Sequence, residues 1–205
     1  MRETMAVGSL GALGDLVASD AFDLESGSDV VVVATAAAFV GAERATLDVA
    51  ELFASRDVAV EALMNIDRHS SDEPYFARRV READLVVLVD GSPLHAKSVW
   101  HGSAVGEAIR DTVRLVAVGS VASVLGATMI DPRGGAPTTG LGYRDGLVIG
   151  VVESPEKLTR TRALLGPNVT FALLGPRGVV RYDGERWRVV SGDVIVTRGE
   201  DVVGL

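Results

Sequence analysis

The chain has 205 residues, 47% hydrophobic and 23% charged, the composition of an ordinary globular protein, and a chain this long buries roughly 70% of the surface it exposes when unfolded. A net charge of −8 with no Lys/Arg cluster argues against a nucleic-acid partner, because phosphate binding relies on grouped cations. Cysteine is absent, which excludes disulfides, thiolate metal sites and a cysteine nucleophile and agrees with a cytoplasmic protein.

The longest apolar run, Val30 to Val40 broken by Thr35, has roughly half of the 20 residues a membrane span needs. Arg2, Glu3 and the glycine-rich segment after them lack the basic region and apolar core of a signal peptide. No membrane contact and no export are expected.

Met5–Leu10 reads as a strand and Asp29–Ala34 as a second, its valine run being the type buried on both faces of a parallel sheet. Between them lies Gly8-Ser9-Leu10-Gly11-Ala12-Leu13-Gly14, a glycine-rich loop with G-x-x-G-x-x-G spacing. A dinucleotide fingerprint needs G-x-G-x-x-G and an acidic residue after the second strand. A plain turn is therefore favoured, with nucleotide binding as the alternative. Glu43–Ser55 places Val49, Leu52 and Phe53 on one helical stripe, and Val58–Leu63 follows as a strand. Asp72–Ala83 is a helix with Phe76 and Val80 on one face and Pro74 in its first turn. Leu85–Val89 is another buried-type strand, Ser103–Thr112 a helix with Val105, Ala108, Ile109 and Thr112 inward, and Leu115–Val118 a further parallel-type strand.

From Val113 to Arg133 a short apolar strand runs into a small-residue turn and helix, the shape of a nucleophile elbow without its G-x-S-x-G text. After Asp131-Pro132-Arg133-Gly134-Gly135, Leu147–Val152 is a strand, and a helix begins with Ser154 as N-cap, Pro155 at N1 and Glu156 in the first turn. Val179–Tyr182, Arg186–Val190 and Asp193–Thr197, separated by Asp183-Gly184 and Ser191-Gly192, read as an antiparallel meander. The alternation implies a three-layer, doubly wound, mainly parallel α/β sheet with helices on both faces, closed by a C-terminal antiparallel β meander at 177–199. With no repeat or low-complexity segment, residues 1–205 are expected to form a single domain. Ligands of such sheets gather at the carboxyl ends of strands, here at Thr35–Phe39, Asp90–Leu94 and Val118–Ser123.

Asp90-Gly91-Ser92-Pro93-Leu94, Gly126, Met129, Asp131-Pro132-Arg133-Gly134-Gly135-Ala136, Gly140-Leu141-Gly142, Gly146-Leu147 and the closing Arg186-Trp187-Arg188-Val189 follow one another in an order and spacing that resembles the dipeptidase E and cyanophycinase family of serine hydrolases. That resemblance covers roughly residues 29–199 and implies a class I glutamine amidotransferase-like fold. It also implies a serine nucleophile in a G-S/T-S-A-G-A elbow, a histidine base after the next strand and an acidic residue in a later segment. Aligned without gaps, the nucleophile falls on Gly119; displaced by one residue it falls on Ser120, with Val118 and Ala122 where glycines belong. The base falls on or beside Val151 and the acid near Leu174 and Gly175, none of which can take up a proton. Asp90-Gly91 stands where paired glycines would help to stabilise an oxyanion, so that an anion opposes developing negative charge. These departures predict an inactive pseudo-hydrolase.

His69 reads as a solvated loop residue, His95 as a helix-start residue near the crevice, and His101 as a surface residue beside Trp100. Scattered single ligands make no metal site, and neither a metal nor a cofactor is expected. Arg133 is assigned to holding its loop with Asp131, and Lys157, Arg160 and Arg162 to the wet face of a helix. The crevice would comprise Asp90, Gly91, Ser92, His95 and Ser120. The leading expectation is a protein that acts by binding a small acidic or peptide ligand or another protein, as a homodimer or paired with an active paralogue. The rivals are an active serine hydrolase using Ser120 with His95 or His101 as relocated base, and a nucleotide-binding protein using Gly8–Gly14.

Overall fold

The computed structural model describes residues 2–131, 135–151 and 155–205. Its centre is formed by the parallel strands β1 (Glu3–Val7), β2 (Asp29–Val33), β3 (Ala59–Leu63), β4 (Leu85–Leu88) and β5 (Arg114–Val118). Valine and leucine alternate toward two faces, so each strand feeds two cores. Helices α1 (Leu10–Ala18) and α2 (Ala42–Leu52) cover one face through Leu13, Leu16, Val49 and the following Phe53. The other face carries α4 (Pro74–Glu82), α5 (Pro93–Trp100) and α6 (Ala104–Asp111), after the single turn α3 (Arg68–Ser71).

A second sheet packs beyond this face. It contains β8 (Val148–Val151), β9 (Thr170–Leu174), β12 (Val194–Arg198) and β13 (Asp201–Val202), in the order β13-β12-β9-β8. Ile149, Ala172 and Val196 join it to the central core, and α7 (Pro155–Leu164) lies on its other side over Phe171 and Leu173. β6 (Thr128–Ile130) and β7 (Pro137–Thr139) form a separate antiparallel ribbon. The layered, mainly parallel α/β class with C-terminal antiparallel strands is therefore as the sequence implies.

The C-terminal strands do not form one continuous meander. The hairpin of β10 (Val179–Tyr182) and β11 (Trp187–Ser191) extends the central sheet antiparallel to β1, giving the order β11-β10-β1-β5-β4-β2-β3. β12 leaves it and pairs with β9, because the turn between them is pressed on the preceding segment: a β-carbon on Gly192, at φ +73°, would lie 1.8 Å from the Arg177 carbonyl oxygen. β9, which no local pattern singled out, is thereby enclosed between β8 and β12.

Two local expectations are corrected. The first strand ends at Val7, and Leu10, Gly11 and Gly14 lie inside α1, because the Ser9 side chain accepts from the N–H groups of Gly11 and Ala12 and starts a helix there. Gly14 fits against Leu52, and Gly8 lies under the Gly175 carbonyl, so both glycines serve close packing. The helix read over Asp72–Ala83 begins at Pro74 as α4, and the polar loop before it, which contains His69, closes into the single turn α3 capped by Asp67. Among the described residues no helix is long and apolar enough to cross a membrane.

Candidate active site

β5 delivers Val118 to the carboxyl edge of the sheet, and the chain turns sharply at Gly119 into the 3-10 helix Gly119–Leu125 rather than an α-helix. Gly119 has φ +64°, the left-handed conformation that a strand-to-helix elbow places at its apex. Ser120 is one residue beyond. The apex therefore carries no side chain, and Ser120 lines the cleft beside it.

β4 ends beside it and presents Asp90. The next residue, Gly91, is held against the 3-10 turn Thr35–Ala37: Ser92 N–H donates to the Ala36 carbonyl at 2.7 Å, and a β-carbon on Gly91 would lie 2.1 Å from that same oxygen. Only glycine fits there. Asp90 Oδ1 accepts from the N–H of Gly91 at 2.7 Å and from the N–H of Ser120 at 2.8 Å. Two backbone N–H groups converging on one oxygen make the arrangement that stabilises an oxyanion. A β-carbon on Gly119 would meet Asp90 Cγ at 2.3 Å, so the carboxylate fills the space a nucleophilic side chain needs.

Val151, where the resemblance would put a base, closes β8 opposite Leu174. It lines a cleft of about 60 Å³ together with Pro93, Ser120, Ser123, Lys157 and Thr161. Lys157 thus faces the cleft and not the open side of α7, because Leu158 and Leu165 turn the helix onto the second sheet. Arg160 is exposed as expected, and Arg162 donates to the Glu200 carbonyl at 2.9 Å. Arg133 and Ser154 lie outside the described residues.

At Gly175, where the resemblance would put the acid, the N–H donates to the Asp193 carbonyl at 2.8 Å, and a β-carbon would lie 1.7 Å from Asp193 Oδ2. A carboxylate stands beside this position, brought from the far side of the β10–β11 hairpin. No local signal announces it; only the pairing of β9 with β12 brings Asp193 there.

The histidines are not gathered at the elbow. His95 begins α5, where Ser92 accepts from its N–H at 3.2 Å; its Nε2 lies 2.7 Å from the Ile66 carbonyl, and its ring meets Phe39 edge-on at 4.6 Å. His69 and His101 are exposed. Trp100 is fully buried with its indole N–H on Thr35 Oγ1, so it cannot stack with His101 at the surface. Among the described residues no imidazole is hydrogen-bonded to Ser120. The structure therefore brings Asp90, Gly91 and Ser120 together, uses Ser92 as a cap and turns His95 toward Ile66 and Phe39.

The loop after the elbow is held from below. Gly140 fits only because it has no side chain, since a β-carbon would lie 2.0 Å from the Gly126 carbonyl oxygen. Leu141 and Tyr143 donate to the carbonyls of Val124 and Leu125 at 2.8 and 2.7 Å. Burial pushes the Tyr143 phenol up to about 12 and lowers the pKa of the Arg144 guanidinium.

A mainly parallel sheet with an elbow after β5 and a paired N–H cradle beside it defines a layered α/β architecture with a candidate site at the carboxyl ends of its strands. By fold the chain is peptidase E-like. It is similar over its whole length to the crystal structure of a peptidase from an acI-B1 Actinobacterium, with TM-score 0.78 and 15% identity, covering 100% of this chain and 97% of that one. It is also similar to a putative peptidase E protein from Listeria monocytogenes, with TM-score 0.65 and 12% identity over 97% of this chain and 98% of the other. No protein-family model matches the sequence, and no curated protein matches it.

Proposed function

We propose that this chain is a catalytically inactive relative of the cyanophycinase-like serine peptidases that acts through binding, of a small acidic or peptide ligand in the cleft below Ser120 or of another protein. The observation that carries the reading is Gly119 at the elbow apex, with the Asp90 carboxylate in the space of a nucleophile. Purified protein is expected to release no product from acidic dipeptides or short peptides beyond what Ser120→Ala releases. Turnover that disappears in Ser120→Ala overturns the reading.

One observation favours the rival, an active hydrolase: the Ser120 residue lines the cleft. A fluorophosphonate probe that labels Ser120 supports that rival, and a silent protein supports inactivity. The binding reading takes residues 1–205 as one domain of a cytoplasmic protein, and the core shared by Ala6, Ile149 and Val196 supports the single domain. A homodimer or a pair with an active paralogue belongs to the same proposal, supported by the exposed apolar pair Phe39 and Val40. Light scattering of the pure protein separates a dimer from a monomer.

A further inference from the structure

The two N–H groups that hold Asp90 lie on segments fixed by contacts other than those of the Asp90 side chain. Gly91 is fixed by the Ala36 carbonyl, which takes the Ser92 N–H and leaves no room for a side chain on Gly91. Ser120 is fixed by the elbow at Gly119 and by Ser123, whose hydroxyl donates to the Ser120 carbonyl at 2.9 Å. Both donors therefore point at one place whether or not a carboxylate is there, and preorganised donors of this kind are what make an anion site.

Asp90 is solvent-exposed, so burial does not force its carboxylate inward; the two bonds at 2.7 and 2.8 Å do. Bonds from N–H to an ionised oxygen are roughly twice as strong as neutral ones. A tethered ligand also competes at an effective concentration on the order of millimolar or above, which weak external carboxylates do not match.

We propose that the N–H groups of Gly91 and Ser120 form a working carboxylate-binding site whose resident ligand is the protein's own Asp90, so that an external carboxylate enters only when that side chain is removed. Occupancy and the missing nucleophile are then two sides of one arrangement. A side chain at Gly119 and the Asp90 carboxylate exclude each other at 2.3–2.5 Å. The inference rests on the reading of this cleft as a relic hydrolase site, but its test does not run through hydrolysis: turnover lost in Ser120→Ala fails that reading, whereas the outcomes below decide the occupancy of the cradle alone.

Melting temperatures are measured for wild type, Asp90→Gly and Asp90→Asn with sodium formate or acetate against sodium chloride at equal ionic strength. Formate is expected to raise the melting temperature of Asp90→Gly along a saturating curve and to leave wild type at its chloride value. Asp90→Asn, whose amide oxygen can accept the same two bonds, should behave as wild type. Equal responses of wild type and Asp90→Gly, or no response of either, overturn the proposal. Should Asp90→Gly fail to fold, Asp90→Ala is compared with wild type in the same salts, and equal responses of the two overturn the proposal.

Discussion

Asp193 lies against the α-carbon of Gly175, with its Oδ1 accepting the Arg177 N–H at 2.9 Å and its Oδ2 in the place of a Gly175 side chain. The relation repeats that of Asp90 to Gly119: a glycine on a strand end, and a carboxylate from another segment in the vacated volume. Gly175→Ala should therefore destabilise the protein by about 2 kcal/mol or more, as overpacking does. The loss should shrink in the Asp193→Gly background. Denaturant midpoints of the two singles and the double measure the coupling, and additive losses would show that the two residues do not compete for space.

Gly119→Ser should behave in the same way toward Asp90. The left-handed backbone alone costs a serine about 1–3 kcal/mol, and the carboxylate adds to it. The melting temperature should fall further in wild type than in Asp90→Gly. The equilibrium midpoint in urea, read for both backgrounds, checks this.

Arg144 is buried to 2% exposure and, among the described residues, donates to neutral oxygens: Thr4 Oγ1 at 2.7 Å and the carbonyls of Arg110, Thr112 and Tyr143 at 2.9, 3.1 and 2.8 Å. It ties the loop after the elbow to β1 and α6. Arg144→Ala should cost about 3–5 kcal/mol, through a cavity and orphaned acceptors. Arg144→Lys should recover little, since one ammonium lacks the planar fork that reaches those directions. Urea unfolding of both variants is the measurement.

Trp100 Nε1 and Asn65 Nδ2 both donate to Thr35 Oγ1, at 3.0 and 3.1 Å, and that hydroxyl donates to the Asn65 carbonyl at 2.7 Å. Thr35→Val leaves the Trp100 indole N–H without an acceptor and the Asn65 carbonyl without this donor, while Asn65 Nδ2 keeps its bond to Ser71 Oγ at 3.1 Å, and should cost about 2–4 kcal/mol. Thr35→Ser should keep most of the stability. Trp100 fluorescence during unfolding reports both.

Arg79 joins α4 to the sheet, with Asp29 and Glu61 each at 2.6 Å, and Tyr75 also donates to Glu61. Burial by itself raises the Glu61 pKa, but the bonds from Tyr75 and Arg79 outweigh it and hold the carboxyl below its ordinary value. A depressed carboxylate lends stability that is complete above its unfolded pKa, about 4.3, and lost as pH falls through the folded value. Arg79→Met should therefore lose about 1 kcal/mol at neutral pH and show a shallower further loss on acidification below roughly pH 4.5. A pH series of melting temperatures tests the slope.

The sequence by itself determined the alternation of strands and helices, because valine runs such as Val30–Val33 and capped starts such as Ser103 before α6 are local preferences that the final packing agrees with. It also located the elbow, the Asp90-Gly91 edge and the Gly140-Leu141-Gly142 loop. Tertiary structure decided which of Gly119 and Ser120 stands at the apex, for a one-residue shift changes no pattern but changes which backbone carries φ +64°. It decided too that the C-terminal strands part between two sheets, and that Asp90 and Asp193 come to rest on glycines. Those placements depend on contacts between residues far apart in sequence, and the geometry of such contacts is set only when the layers close on one another.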